Sequence, residues 1–293
     1  MKNFIVRTVT GILYVLLVVV SFLKAQAMIA FFALVTALTI WEFTGLVNDH
    51  VSRTTVNRFI ATVAGVYFFL AMAGYVSGLT PSSGVFIPYL LTVVYLFVSE
   101  LYLKQENPVN DWAYTMLSQM YIALPLACIN VLAFVSTGDG GTLFFPMLPL
   151  SVFIFLWMND TGAYCVGSLI GKHKLFPRVS PGKSWEGSIG GGVLVLAVAV
   201  AIWSFTHDAD PETPFYVGAM NSLWHWLGLG LVVCFFGTWG DLVESLFKRT
   251  LGIKDSGSIL PGHGGMLDRF DSALMAFPAA VVYVYSLTLL TGQ

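Results

Sequence analysis

Residues 222–240 read SLWHWLGLGLVVCFFGTWG, and residues 272–290 read SALMAFPAAVVYVYSLTLL. Neither run contains an Asp, Glu, Lys or Arg. A helix needs about 20 apolar residues to cross about 30 Å of hydrocarbon, so each run reads as a membrane span. The segment between them has the opposite character. Its residues 245–271, SLFKRTLGIKDSGSILPGHGGMLDRFD, hold four cations (Lys248, Arg249, Lys254 and Arg269), three acids (Asp255, Asp268 and Asp271) and His263 among glycines. Asp241 and Glu244 lie just upstream. Cations to neutralise phosphates, acids to hold a metal and glycines for close backbone approach are the parts of a phosphoryl-transfer site, set here between two membrane helices.

The remainder of the chain repeats the apolar pattern. It is 57% hydrophobic and 10% charged, with a mean hydropathy of +0.79, which excludes an ordinary water-soluble globule. Apolar windows near 8–23, 27–47, 59–78, 84–103, 115–136, 147–170, 189–206, 222–240 and 272–290 predict about nine transmembrane helices. Backbone groups cannot stay unpaired in lipid, and no barrel-like alternation of short segments is present. The predicted fold is therefore an all-α, polytopic integral membrane protein. Spans 1–5, within residues 1–145, are expected to form a lipid-embedded scaffold. Residues 146–293, with spans 6–9 and loops 171–188 and 241–271, are expected to form the catalytic region. Lys2, Arg7, an apolar run and Ala25-Gln26-Ala27 are compatible with a signal peptide; a retained first span is the favoured reading. Cys128, Cys165 and Cys234 stand singly in apolar stretches, without ligand spacing, and read as buried thiols.

Lys and Arg set the topology. With the N-terminus inside and nine spans threaded, thirteen of the 14 Lys and Arg residues fall on the inner side, and only Lys24 falls outside. Loops 171–188 and 241–271 then face the cytoplasm, where nucleoside triphosphates are found. The outer segment His207–Glu212 contains no Lys or Arg.

Asp241, Glu244, Ser245 and Lys248 recur at i, i+3, i+4 and i+7, one face of a helix. Alone, this stripe reads equally as a solvated helix end. Asp268-Arg269-Phe270-Asp271 at the start of the last span gives it a partner, because ionisable groups entering a membrane helix usually face one another or a wet cavity. Asp241 and Asp268 are the candidate metal ligands, since Mg²⁺ is typically held by one or two carboxylates with waters and substrate phosphates. Alternatively, Asp268 and Asp271 pair with Lys248 and Arg249. Gly264 and Gly265 permit close approach to phosphate oxygens. His263 is suited to hydrogen-bond a phosphate, to stabilise a leaving group or to order the loop.

A second cluster, NDTGAYCVGSLIGKHKLFPRVSPGKSWEG, spans residues 159–187. Asp160 inside a membrane helix is a functional-site candidate, and Asp160, Tyr164 and Gly167 share a face. Lys172 and Lys174 also serve as ordinary inner-face anchors. Ser180, Lys183, Ser184 and Glu186 sit in a tight Ser/Gly/Pro context. Gly182-Lys183-Ser184 is not a P-loop, because position 177 is Pro and no strand is expected before it. Glu42, in the second window, either lines a lipid pocket or pairs with a cation near the inner face.

The run Ser245, Lys248, Arg249, Lys254, Asp255, Gly257, Leu260, Pro261, His263, Gly264, Gly265, Leu267, Asp268, Arg269 and Asp271 closely resembles the signature of the phosphatidate cytidylyltransferases. Residues 160–187 are similar to that family's DTGAY…SPKKTWEG region, with Gly182 where Lys is common. The resemblance covers most of residues 155–275; the first five spans match only in hydrophobic character. It implies a membrane enzyme that joins CTP to phosphatidic acid, giving CDP-diacylglycerol and pyrophosphate. It further implies Mg²⁺ on Asp241 and Asp268, a monovalent cation such as K⁺ beside it, a cytoplasm-facing site, a homodimer and no nucleic-acid partner. On this reading Lys248, Arg249, Lys254, Asp255, His263 and Asp271 are catalytic. Asp160, Ser180, Lys183, Ser184, Glu186, Ser245, Gly264, Gly265 and Arg269 bind substrate. The rivals are a CTP-dependent lipid kinase and a lipid transporter or flippase.

Overall fold

The computed structural model describes residues 2–136, 141–208, 220, 222–259 and 264–291. Each of the nine predicted windows falls mainly on helix. The helices are α1 (Lys2–Ser21), α2 (Ala25–His50), α3 (Arg58–Val76), α4 (Ile87–Leu103), α5 (Pro108–Ser118), α6 (Leu124–Ala133), α7 (Met147–Ile170), α8 (Trp185–Thr206), α9 (Leu223–Thr250) and α10 (Leu267–Thr291). Seven of the helical segments described are long and apolar enough to cross a membrane. The apolar part of α1 is short, Thr8–Ser21, and α7 is interrupted by Asn159-Asp160-Thr161. The observed helices overrun their windows at the polar ends. Helix α9 continues past Gly240 to Thr250, and α10 begins at Leu267. A helical backbone satisfies its own hydrogen bonds whether its side chains are apolar or charged, so hydropathy marks the hydrocarbon boundary and not the helix end.

The chain divides into two compact units: residues 1–144 with 251–270, and residues 145–250 with 271–293. In the first unit, the window at 115–136 is built from α5 and α6 joined by a π-helical turn, Gln119–Ala123, and ends in strand β1 (Phe134–Ser136), which pairs antiparallel with β2 (Thr142–Phe144). The connection between α2 and α3 is held by side chains. Asp111 accepts from Thr55 N at 2.6 Å, and Asn48 exchanges hydrogen bonds with the Val56 backbone at 2.7 and 2.9 Å. Asn57 caps α3 by accepting from Ile60 N. Phe32, Phe43, Phe69 and Phe270 are fully buried in this unit, while Leu90, Leu91, Leu101 and Tyr102 of α4 face outward, as lipid contact requires.

In the second unit, α7 and α8 approach at backbone distance. A Cβ added to Gly162 would lie 2.9 Å from both Gly190 O and Gly191 Cα, and one added to Gly187 would lie 2.8 Å from Ala163 O. Small residues at such a crossing let membrane helices pack where no hydrophobic driving force exists between them. Loop 171–188 is not irregular throughout. Strands β3 (Lys174–Phe176) and β4 (Ser180–Ser184) pair as an antiparallel hairpin with Lys174 opposite Ser184. Of the three cysteines, Cys165 is exposed and Cys128 and Cys234 are partly covered. This corrects the expectation of buried thiols: Cys165 and Leu169, one turn apart, share an outward face of α7, and an apolar environment in a membrane chain need not be the protein interior.

Candidate active site

The β3–β4 hairpin is what carries Lys183 to Thr238 and Asp241 of α9. It is closed at its base by Trp185 N donating to His173 O at 2.9 Å. Glu186 reinforces it, accepting from His173 N at 3.2 Å and lying 2.6 Å from His173 Nδ1. Phe176 packs edge-on against Trp239 of α9, with ring centroids 5.7 Å apart. Ser184 then caps α8, its hydroxyl accepting from Gly187 N at 3.2 Å. Held this way, Lys183 Nζ lies 2.5 Å from Asp241 Oδ2 and 3.5 Å from Thr238 O.

Lys183 also lines a cavity of about 520 Å³, with Asp160, Tyr164, Gly167, Lys174 and Ser184 among others. The single face expected for Asp160, Tyr164 and Gly167 therefore opens onto it. Asn159 and Thr238 are among the lining residues that the sequence does not mark as site candidates. Asn159 Nδ2 donates to Thr238 Oγ1 at 3.2 Å, while Asn159 Oδ1 accepts from Cys234 Sγ at 3.1 Å. This bracket holds α7 against α9 at the cavity. Asn159 had been visible as a polar interruption of an apolar window, but its partner 79 positions away had not.

Beside the cavity, carboxylate oxygens of Asp241, Glu244 and Asp271 all lie within 4.8 Å of one another. Ser245 Oγ donates to Asp241 Oδ1 at 3.2 Å, and Lys248 Nζ lies 2.6 Å from the buried Glu244 Oε2. The stripe read at i, i+3, i+4 and i+7 thus forms one face of α9 in which each member touches another. Asp271 accepts from Ser272 N at 2.5 Å. Its place at the head of α10 is possible because Gly240 has no side chain: a Cβ there would lie 2.7 Å from Asp271 O. The donor set is all oxygen, which suits a hard divalent cation and not a thiolate-seeking metal. Glu244 belongs to this set; its spacing from Asp241 was the signal for it.

Asp268, the other ligand expected from the sequence, lies in the first unit with residues 251–270. Its Oδ2 accepts from Ser256 N at 2.8 Å and Gly265 N at 2.8 Å, and stands 2.9 Å from Ser256 Oγ. Gly264, at φ +80°, adopts the left-handed conformation that glycine takes without steric cost. Lys254 and Asp255 are exposed, as is Arg249 on α9; Ser180 and Arg269 are half-buried. His263 lies outside the described residues. Glu42 is buried and accepts from Ser256 Oγ, Met266 N and Leu267 N.

A model of the cytidylyltransferase family matches residues 5–287. A Staphylococcus haemolyticus protein named phosphatidate cytidylyltransferase is 33% identical over 279 residues, covering 93% of this chain and 96% of its own length. Its Staphylococcus epidermidis namesake is 33% identical over 275 residues, with the same coverage of 93% and 96%. A Staphylococcus aureus namesake is 40% identical over 175 residues, 60% of each chain.

Proposed function

The chain belongs to the cytidylyltransferase family, and from that premise we propose that it transfers the cytidylyl group of CTP to phosphatidic acid, yielding CDP-diacylglycerol and pyrophosphate. The observation that carries this reading is the Lys183–Asp241 pair, which joins a cavity of about 520 Å³ to a group of three carboxylates. A phosphate phosphorus attacked in that position meets cations on one side and a metal-holding set on the other.

In the reaction, a phosphate oxygen of the lipid attacks the α-phosphorus of CTP. The new O–P bond forms as the bridging bond to the β-phosphate breaks, and pyrophosphate leaves with that electron pair. A phosphomonoester loses its second proton near pH 6, so the nucleophile is ionised at neutral pH and needs no general base. The barrier is the approach of two anions. Lys174 and Lys183 neutralise phosphate charge from the cavity wall, and the N-terminus of α8 adds its partial positive charge. Lys248, Arg249, Lys254 and Arg269 are proposed to take the remaining phosphates, with Asp255 orienting a cation and His263 and Gly264 completing the loop. Preorganised charge of this kind supplies several kcal/mol of transition-state stabilisation, roughly 3–4 per donor. A divalent ion on the acidic cluster, Mg²⁺ by its preference for oxygen, would add charge compensation and orient the displacement. Asp241 would hold it, with Glu244 and Asp271 beside it; Asp268 is the second ligand proposed from the sequence. K⁺ is the proposed monovalent companion.

Diacylglycerol tails remain in lipid while the head group meets nucleotide from the cytoplasm; the excess of Lys and Arg on that side supports this orientation. A homodimer in the cell membrane completes the proposal. The test is turnover of labelled CTP with phosphatidic acid in mixed micelles. Label from the α-phosphate is expected in lipid. Label entering only from the γ-phosphate would identify a lipid kinase, and movement of lipid without any CDP-lipid would identify a transporter.

A further inference from the structure

Glu42 is an acid in the middle of a transmembrane helix, 214 to 225 positions from the groups it touches. Its carboxylate is buried, at 8% exposure. Oε2 accepts from Met266 N at 2.9 Å and Oε1 from Leu267 N at 3.1 Å, the two amides that open α10. The same Oε1 lies 2.5 Å from Ser256 Oγ. That hydroxyl also stands 2.9 Å from Asp268 Oδ2 and accepts from Asp268 N at 3.3 Å. Ser256 has one hydroxyl proton and sits between both carboxyl groups, so the positions of Glu42 and Asp268 are fixed against each other.

The glycines of this loop take their meaning from the same residue. A Cβ built on Gly257 would lie 2.7 Å from Glu42 Oε2, and one built on Gly265 would collide with the same carboxylate. The backbone at both positions is therefore laid directly on the Glu42 side chain. Close approach to phosphate, the reason read from the sequence for Gly265, is not the only constraint there. A buried carboxyl that satisfies three donors is costly to remove, because each donor is then left without a partner.

We propose that Glu42 is a positioning residue: a bracket from α2 that holds Ser256–Gly257 and Gly265–Leu267 in the conformation that orients Asp268. This rests on the proposed metal role of Asp268, and the experiment separates the two. Hydrogen–deuterium exchange is measured on the full-length protein in nanodiscs, together with Mn²⁺ binding by electron paramagnetic resonance, for wild type, Glu42→Ala, Glu42→Gln, Ser256→Ala and Asp268→Asn. Glu42→Ala is expected to speed exchange at Met266 and Leu267 by at least about tenfold and to weaken Mn²⁺ binding by about 10- to 100-fold, the range seen for outer residues that orient metal ligands. Glu42→Gln keeps an acceptor for the α10 amides and is expected to recover part of both effects. Glu42→Gln and Ser256→Ala combined should cost less than the sum of the two. Unchanged exchange at 266 and 267 in Glu42→Gln and Glu42→Ala overturns the bracket. Should Glu42→Ala fail to fold, Glu42→Gln alone decides, and exchange and Mn²⁺ affinity both at wild-type values with additive behaviour toward Ser256→Ala overturn it. Mn²⁺ affinity unchanged by Asp268→Asn, with exchange still perturbed by Glu42→Ala, refutes the ligand role of Asp268 and leaves the bracket standing.

Discussion

Lys183 illustrates how far a single residue can be read. Its sequence context, Ser-Pro-Gly-Lys-Ser, separates it from Lys172 and Lys174, which also read as inner-face anchors, yet nothing in that context names Asp241 as the group 2.5 Å away. Replacing Lys183 by Ala removes a charged hydrogen-bond donor worth about 1.5–3 kcal/mol, so the apparent KM for CTP or phosphatidic acid should rise about ten- to a hundredfold. Steady-state titration of each substrate checks this; a change confined to protein yield would mean the lysine only anchors the loop. Lys248 makes the complementary case. Its partner Glu244 has a side-chain exposure of 0%, and Lys248 itself 11%. Lys248→Met would leave the carboxylate buried without this cation and should cost about 3 kcal/mol of stability. Thermal unfolding in detergent measures it, and the loss should shrink in the double variant with Glu244→Gln. The pair was legible as an i, i+4 spacing. The depth of Glu244 was not, because exposure depends on which neighbouring helix covers that face.

At the scale of elements, the transmembrane helices were the most legible part, since a run of apolar residues bounded by charge has few other uses. Their ends were not, because Asp241 to Thr250 is helical without being apolar. The β3–β4 hairpin was missed altogether. Pro, Gly, Lys and Ser have poor strand propensity, and the hairpin is held by the Trp185 N to His173 O hydrogen bond and by Phe176 on Trp239, both of which are tertiary. The glycines of α7 and α8 were readable only as small residues. The structure gives them a specific consequence: Gly162→Ala places a methyl 2.9 Å from Gly190 O. Overpacking of this kind typically costs about 1–3 kcal/mol, and separation of α7 from α8 should widen the cavity that Asp160 lines. A lowered melting temperature together with a raised KM is expected; a variant that unfolds as wild type does would contradict the close crossing.

For the whole molecule, the sequence divides at about residue 145, but the chain does not respect that division throughout. Residues 251–270 belong with the first unit, while Asp271 and the rest of α10 belong with the second. The motif from Ser245 to Asp271, continuous in sequence, is therefore shared by two compact bodies, a fact that no hydropathy profile contains. Glu42 explains part of it, because it is the residue of the first unit that claims Ser256, Met266 and Leu267. The central claim, however, rests on the second unit: it is the proposal that Asp241, with Glu244 and Asp271, would hold a divalent ion that supports cytidylyl transfer. Turnover of α-labelled CTP with phosphatidic acid, followed across a Mg²⁺ titration in wild type and Asp241→Asn, tests it most directly. The account predicts label in CDP-diacylglycerol only when Mg²⁺ is present, and none from Asp241→Asn at any Mg²⁺ concentration, in protein that remains folded in the membrane. Product formed by Asp241→Asn at the wild-type rate, with an unaltered Mg²⁺ requirement, would contradict it.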